Sequence, residues 1–403
     1  MLKYIMFIYE KLYLLVPNPS SININYEEFI NFFPELEFLK TTPQDSYYHA
    51  EGDVWTHTQM VCDELIQLPE FKDANQESRF VMFYAALLHD ISKPACTKTE
   101  ENGQITSAGH SKRGSVDARI DLWKKDIPFE LRERICNIIS THQVPFFAFS
   151  ANGKKSNKPD RTPEFIAHSL SYQLVLKELL AVAKADMLGR SYIKKQDSMD
   201  DISLFEEVCK EQKCYENPKD FPDLNTKMEY FRNNGQISPD YPFYKETGSR
   251  VIILSGLPAS GKNSWIANNY PDMPVVSFDD AKEELGLSHG DNPGRAVHLV
   301  TDTAKAFLRE HQDFIFNATH LSSQMRKKTL DLLFNYNAHV TIVYLEAGEK
   351  EIKQRNSARD SSLTNKKIDE MLFKWEVPTK MESHEIEYYP KHGMKTVKKI
   401  GLK

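Results

Sequence analysis

The chain is expected to fold as an all-α unit followed by an α/β unit with a parallel sheet. Three observations carry that reading. The chain has 403 residues, enough for two or more domains. Residues from about 22 to 208 hold long apolar segments at helical spacing with few strand signals. From about 250, short β-branched apolar runs alternate with helical segments, as in a parallel sheet covered by helices.

In chain order, "MLKYIMFIYEKLYLLV" opens the chain as an N-terminal extension, 1–21. It is apolar, but Glu10 and Lys11 interrupt it. It is too short to span a bilayer and is expected to pack locally. The helical unit is placed at 22–214, with "RFVMFYAALLHD" and "FIAHSLSYQLVLKELLAVAKADML" as its strongest helices. Between them, 151–164 is a polar loop punctuated by Gly and Pro. Residues 215–248 hold Pro218, Pro222, Pro239, Pro242 and Asn-Asn-Gly, and are expected to be a connector. The α/β unit is placed at 249–403, with strands in "RVIILSG", "MPVVSFDD", "DFIFNATH" and "HVTIVYLE".

Composition excludes some classes. Hydrophobic residues make up 40% and charged residues 27%, which is ordinary for a globular chain. The net charge of −6 gives no general pull towards nucleic acid. Residues 249–403 carry 22 Lys and Arg against 20 Asp and Glu, and the remainder 29 against 37. A nucleic-acid partner would therefore need a local basic groove. The five cysteines form no CxxC pair, which suits a reducing, cytoplasmic setting and argues against a thiolate zinc site.

"GLPASGKNSW", 256–265, follows a strand and opens a helix, the context of a phosphate-binding loop. Gly256, Ser260, Gly261, Lys262, Asn263 and Ser264 are its candidate nucleotide contacts. Lys262 is placed to reach the β- and γ-phosphates of ATP. Asn263 stands where a Mg²⁺-binding hydroxyl is usual, and its amide oxygen is itself a possible ligand. Asp279, after the second strand, is a candidate general base, with Asp280 left to cap the helix. Thr319 and His320 end the third strand. Arg355 and Arg359 lie one helical turn apart, spaced to clamp a transferred phosphoryl group.

"GLPASGKNSW", "FDDAK", "NATHL", "RNSAR" and "KWEVPTKMESHE" together resemble the 5′-hydroxyl polynucleotide kinases of end-repair systems. The resemblance runs over nearly all of 250–390. It implies ATP and Mg²⁺ at Lys262, Asp279 as the base for a polynucleotide 5′-OH, and Arg359 on the phosphates with Arg355 in support. Lys282, Thr319, His320 and Arg326 are then expected to face the acceptor. Lys282 stands where the family has an Arg, which keeps the charge but loses the bidentate fork.

The helical half holds an ordered set: His57, His89–Asp90, His110, His142 and Asp186. Imidazole and carboxylate donors without thiolates suit Mn²⁺, Fe, Ni²⁺, Co²⁺ or Zn²⁺. The order resembles the HD phosphohydrolases. That likeness implies a first metal at His57, His89, Asp90 and Asp186, a second at His110 and His142, and Lys93 on phosphate oxygens. Arg113 is a further candidate cation, as are Lys154, Lys155, Lys158 and Arg161 in the polar loop.

Both halves in this order resemble the HD domain–polynucleotide kinase end-healing enzymes. The likeness implies a 2′,3′-phosphoesterase, a 5′ kinase, single-stranded RNA or DNA ends as partners, a separate ligase downstream and no membrane. Three alternatives stay open at this level: a small-molecule kinase fused to a nucleotidase, a silent nucleotide-binding module, and an HD enzyme of free nucleotides.

Overall fold

Every residue from Phe80 to Leu88 is buried, so helix Gln76–Leu88 must be surrounded on all sides. The structure, a computed structural model, describes residues 2–18, 24–149, 162–287, 294–358 and 363–390. It divides into two compact units, Met1–Asp220 and Phe221–Lys403. In the first, helices Val54–Leu65, Phe129–Thr141 and Leu176–Leu188 pack on the central helix. The Asn75 side chain caps the central helix by accepting the Ser78 N–H at 2.8 Å, and Asp53 caps Val54–Leu65 through Thr56 N–H at 2.8 Å. Each such cap stabilises by about 1 kcal/mol.

Helix Leu2–Leu15 joins this core. Leu12 is fully buried and its carbonyl accepts the Tyr84 hydroxyl at 2.7 Å. The apolar stretch from 165 to 188 is broken into helices Pro163–Ser171 and Leu176–Leu188. Strands β1 (Lys98–Thr99) and β2 (Ile105–Thr106) form a short antiparallel pair.

The second unit holds β3 (Arg250–Ser255), β4 (Val275–Ser277), β5 (Phe314–Asn317), β6 (His339–Leu345) and β7 (Glu385–Tyr389). They form one sheet in the order β4-β5-β3-β6-β7, with every pair parallel. Alternate residues bury opposite faces. Val251, Ile253, Phe314, Phe316, Val340 and Ile342 join one core; Leu254, Ile315, Val343 and Leu345 join the other with Trp265. The chain moves to one side of β3 through β4 and β5, then to the other through β6 and β7. A sheet that reverses in this way opens a ligand crevice at the carboxyl ends of its strands. β7 was not among the expected strands.

The segment expected as a connector is divided. Residues 221–248 belong to the second unit and carry helix Leu224–Arg232, capped by Asp223. Met228 enters the sheet core, and Lys227 Nζ donates to the carbonyls of Lys380, Ser383 and His384 at 2.8–3.0 Å. Prolines punctuate the chain there without keeping it from packing.

Candidate active sites: a buried histidine–aspartate centre and a P-loop

Five helix ends meet inside the first unit. His57 lies in the first turn of Val54–Leu65, and His110 begins helix His110–Lys124. His89 and His142 are the C-caps of their helices, and Asp186 sits in the last turn of Leu176–Leu188. All of these, with Asp90, are buried. The last carbonyls of a helix lack intrahelical partners, and the rings supply them. His89 Nδ1 donates to Ala86 O at 2.7 Å, His142 Nδ1 to Ile139 O at 2.8 Å and His110 Nδ1 to Ser107 O at 2.7 Å. His57 Nδ1 lies 3.4 Å from Gly189 O and 3.1 Å from Glu51 Oε1. A carbonyl can only accept, so Nδ1 carries the proton and the Nε2 lone pair turns inward.

The inward atoms converge. His57 Nε2 is 3.1 Å from Asp186 Oδ1, His89 Nε2 is 3.0 Å from Asp90 Oδ2, and His110 Nε2 is 3.3 Å from Asp90 Oδ1. Nε2 of His57, His89 and His142 and both Asp90 oxygens are buried without a hydrogen bond. Lys93 Nζ stands 2.7 Å from Asp90 Oδ2 as an ion pair without hydrogen-bond directionality. Each unsatisfied buried atom costs about 1–3 kcal/mol, and a cation relieves all of them at once. Two overlapping donor sets, His57–His89–Asp186 and His89–Asp90–His142, have ligand atoms within 4.8 Å of one another. The residues present therefore fit a divalent metal, with nitrogen and oxygen donors only.

Both aspartates, and His142 and His110, are biased towards the charge states that metal ligands need. Burial opposes the ionised form of Asp90, yet His89 and Lys93 hold it well below the usual carboxylate range. Arg190 and His57 do the same for Asp186 against its burial. Burial pushes His142 down to about 3 and lowers His110 as well. Burial lowers His89 too, but the Asp90 carboxylate outweighs it and the net shift is upward.

A cavity of about 290 Å³ opens beside the cluster, lined by Tyr48, His49, Lys93, His110, Gln143 and Arg190 among others. Arg190 grips Asp186 through two bonds, Nε to Oδ1 at 2.9 Å and Nη2 to Oδ2 at 2.7 Å. Lys93 Nζ also donates to Gln44 Oε1 at 2.7 Å. Arg113 is paired with Asp117 at 2.9 Å and does not line the cavity. Lys154, Lys155, Lys158 and Arg161 lie outside the described residues.

Arg190, Glu51 and His49 were not assigned from sequence. Arg190 had a local signal, since it follows Asp186 by one helical turn. Glu51 had none. Its Oε1 takes His49 Nδ1 at 2.8 Å and faces His57, while Oε2 accepts the Ser191 N–H at 2.9 Å. Burial disfavours its charge, but these partners hold it well below the ordinary range.

In the second unit the loop after β3 turns as its glycines allow. Gly256 has φ 149°, and a Cβ there would lie 2.2 Å from Leu345 O. Gly261 has φ 102° and starts helix Lys262–Asn269. Lys262 Nζ is folded onto its own loop, donating to Gly256 O at 3.1 Å and Leu257 O at 2.9 Å. Ser260 Oγ is buried with no hydrogen bond, and Ser264 is exposed. Asn263 Oδ1 accepts from Asn317 Nδ2 at 2.9 Å. Arg355 lies against the loop, with Nη1 donating to Ala259 O at 3.3 Å and Nη2 paired with Glu351. Arg359 lies outside the described residues.

Asp279 is 84% exposed in its side chain, in the first turn of helix Phe278–Glu284. Ser277, not Asp280, caps that helix, because Ser277 Oγ accepts the Asp280 N–H at 3.2 Å. Lys282 Nζ lies 3.8 Å from Asp279 Oδ1. Thr319 is half-buried, and its carbonyl accepts the Gly256 N–H at 2.9 Å.

Two expected acceptor residues are corrected. His320 is buried, with Nδ1 bonded to Leu254 O at 2.8 Å and Nε2 to Thr329 Oγ1 at 3.0 Å. Arg326 is 1% exposed, clasps Glu382 at 2.6 and 3.0 Å, and donates to the carbonyls of His320 and Glu376. Both are interior braces: His320 ties β3 to helix Ser323–Phe334, and Arg326 ties the end of β5 to the 376–382 segment.

His320 gives a pH prediction. Burial pushes its pKa down to about 4 from 6.5. Between those values the unfolded chain binds the proton and the folded chain does not. Stability is therefore fully present above 6.5 and lost as pH falls towards 4, by about 3 kcal/mol in all. Denaturant melts of wild type and His320→Gln across this range should differ in slope, with the variant flatter.

Comparison with known proteins places part of the chain. Residues 251–378 match a family model described as AAA domain. A CC-adding tRNA nucleotidyltransferase of Thermus thermophilus is 25% identical over 181 residues, 45% of this chain and 37% of that protein. A multifunctional CCA protein of Pasteurella multocida is 28% identical over 171 residues, 41% of this chain and 37% of that protein. The chain thus spans little more than a third of these relatives' length. A solved structure from Chloroflexus aurantiacus, titled a candidate kinase, shares 17% identity over 36% of this chain and 87% of its own, with a TM-score of 0.31. Among the described residues no helix is long and apolar enough to cross a membrane. The family match, the glycine-shaped loop and the parallel sheet together mark the C-terminal unit as a P-loop domain.

Proposed function

We propose that the chain heals nucleic-acid ends with two centres: an HD-type 2′,3′-phosphoesterase in the first unit and a 5′-hydroxyl polynucleotide kinase in the second. The observation that carries this reading is the set of five unpartnered donor atoms beside a cavity lined by Lys93 and Arg190. His110 of the donor cluster and the cations Lys93 and Arg190 line the same cavity. The relatives named for tRNA nucleotide addition support a nucleic-acid substrate.

At the first centre His57, His89, Asp90 and Asp186 would hold one divalent ion such as Mn²⁺, Ni²⁺, Co²⁺ or Zn²⁺, with His110 and His142 towards a second. Such an ion supplies Lewis acidity and activates water near neutral pH. The protein's own part is to keep both aspartates ionised and to aim the Nε2 lone pairs. Lys93 and Arg190 take the charge of the bound phosphate.

At the second centre the loop N–H groups and the N-terminus of helix Lys262–Asn269 cradle the phosphates of ATP. Lys262 exchanges its loop carbonyls for phosphate oxygens. Asp279 accepts the proton of the 5′-OH, as phosphoryl transfer requires. Arg355 and Arg359 stabilise the transferred group, and Lys282 and Thr319 lie towards the acceptor. The healed ends are then substrates for a separate ligase.

One observation favours a second reading of this unit, a nucleotide-binding module without transfer. The Asn263 oxygen that would serve Mg²⁺ already accepts from Asn317. Transfer of label from γ-labelled ATP to a 5′-OH oligonucleotide decides between them. Wild-type transfer, with Asn263→Ser changing it by about tenfold or less, supports the kinase. Silence in wild type and gain in Asn263→Ser would establish the second reading.

A further inference from the structure

Three tyrosines cluster beside the cavity of the first unit, and one of them, Tyr48, lines it. Tyr47 and Tyr48 are 50% and 42% exposed. Their rings meet edge to face at 4.9 Å, and Tyr192 lies 5.7 Å from Tyr47 and 5.3 Å from Tyr48. Tyr48 itself lines the cavity beside His49, Lys93 and Arg190. The cavity is therefore bordered by aromatic rings, while the interior is polar and cationic.

The backbone that carries the rings is held by hydrogen bonds. Asp45 Oδ1 accepts the Tyr47 N–H at 3.0 Å, and the Asp45 carbonyl accepts the N–H groups of Tyr48 and His49. The segments carrying Tyr48 and Tyr192 are stitched together by Ala50 N–H to Ser191 O at 3.3 Å and Ser191 N–H to Glu51 Oε2 at 2.9 Å. Glu51 also faces the ligand His57. One carboxylate thus holds the aromatic rim in register with the donor cluster.

We propose that Tyr47, Tyr48 and Tyr192 form a stacking platform for the base of the terminal nucleotide whose phosphate enters the cavity. This rests on the phosphoesterase reading and names its substrate as a nucleotide end rather than a free phosphoester. Lys93 and Arg190 bind the anion, which every phosphoester shares. The aromatic rim adds what only a base has, a flat π-face, and accepts any of the bases because each has one.

The test uses the full chain and a short single-stranded RNA with a 3′-phosphate and 5-iodouridine as its last nucleotide. Irradiation should place the adduct on Tyr47, Tyr48 or Tyr192, and moving the iodouridine to an interior position should abolish that adduct. Replacing Tyr47 and Tyr48 together by Ala should weaken binding of the RNA by about tenfold or more, while Phe at both positions retains it. An RNA whose last nucleotide is abasic should bind wild type and the Ala pair alike. Adducts confined to other residues, equal affinity of the Ala pair and wild type, or no binding of the RNA would overturn the platform. Hydrolysis of the 3′-phosphate by wild type is scored separately. A terminal adduct without hydrolysis would sink the phosphoesterase and leave the platform standing. Hydrolysis without an adduct on these rings would do the reverse.

Discussion

Asp90→Asn should strip the first unit of its metal and lower phosphoester hydrolysis by roughly a thousandfold or more. Asp90 is the hub of the centre, facing His89 Nε2, His110 Nε2 and Lys93 Nζ through its two oxygens. An amide keeps the shape but removes the charge and one ligand. It also leaves the buried Lys93 ammonium without the Asp90 counter-charge, and breaking a buried ion pair costs about 3–5 kcal/mol. Elemental analysis after gel filtration, a thermal melt and a phosphoesterase assay read the three effects together. Wild type should gain stability on loading with Mn²⁺, by about 2.7 kcal/mol at a hundredfold excess over its dissociation constant. The variant should gain much less. Equal metal content in both proteins would remove Asp90 from the centre.

Lys262→Ala should lower phosphoryl transfer from ATP by about a hundredfold or more and leave the fold intact. Its ammonium bonds the carbonyls of Gly256 and Leu257 in its own loop, on the rim of the unit rather than in its core. Removing it should change stability by about 1 kcal/mol or less. Label transfer and a melt on the same preparation separate the two effects. Transfer at the wild-type rate would mean that the loop does not hold the reacting nucleotide.

What the sequence disclosed and what it hid follow from the range of the interactions. The P-loop is a local object, strand, turn and helix within the twenty residues from Arg250 to Asn269, and its glycines are dictated by backbone geometry at Gly256 and Gly261. The histidine and aspartate positions were picked out by their order along the chain, which resembles that of the HD phosphohydrolases, and for His89 and Asp90 by the apolar helix that ends there. Glu51 and the tyrosine rim were not. Glu51 meets Ser191 across 140 positions, and Tyr47 meets Tyr192 only after the same closure. The Asn263–Asn317 pair, 54 positions apart, was hidden for the same reason.

His320 and Arg326 show the opposite error. His320 was expected to face the acceptor because ligands bind at strand ends of an open α/β sheet, and Arg326 because of the kinase resemblance. Arg326 is drawn inward by Glu376 and Glu382, far along the chain, and His320 by Leu254 in β3 and by Thr329. Prolines misled in a similar way at 215–248, where turn residues were taken for a lack of packing, although Met228 and Lys227 anchor that segment to the second unit.

The most direct test of the two-centre account is one RNA carrying a 2′,3′-cyclic phosphate and a 5′-OH, incubated with ATP, Mg²⁺ and Mn²⁺, and resolved by mass spectrometry of both ends. Wild type should open and remove phosphate at one end and add phosphate at the other. Asp90→Asn should lose only the first change and Lys262→Ala only the second. An RNA recovered with both ends unaltered by wild type, while free nucleotides are turned over, would contradict the account.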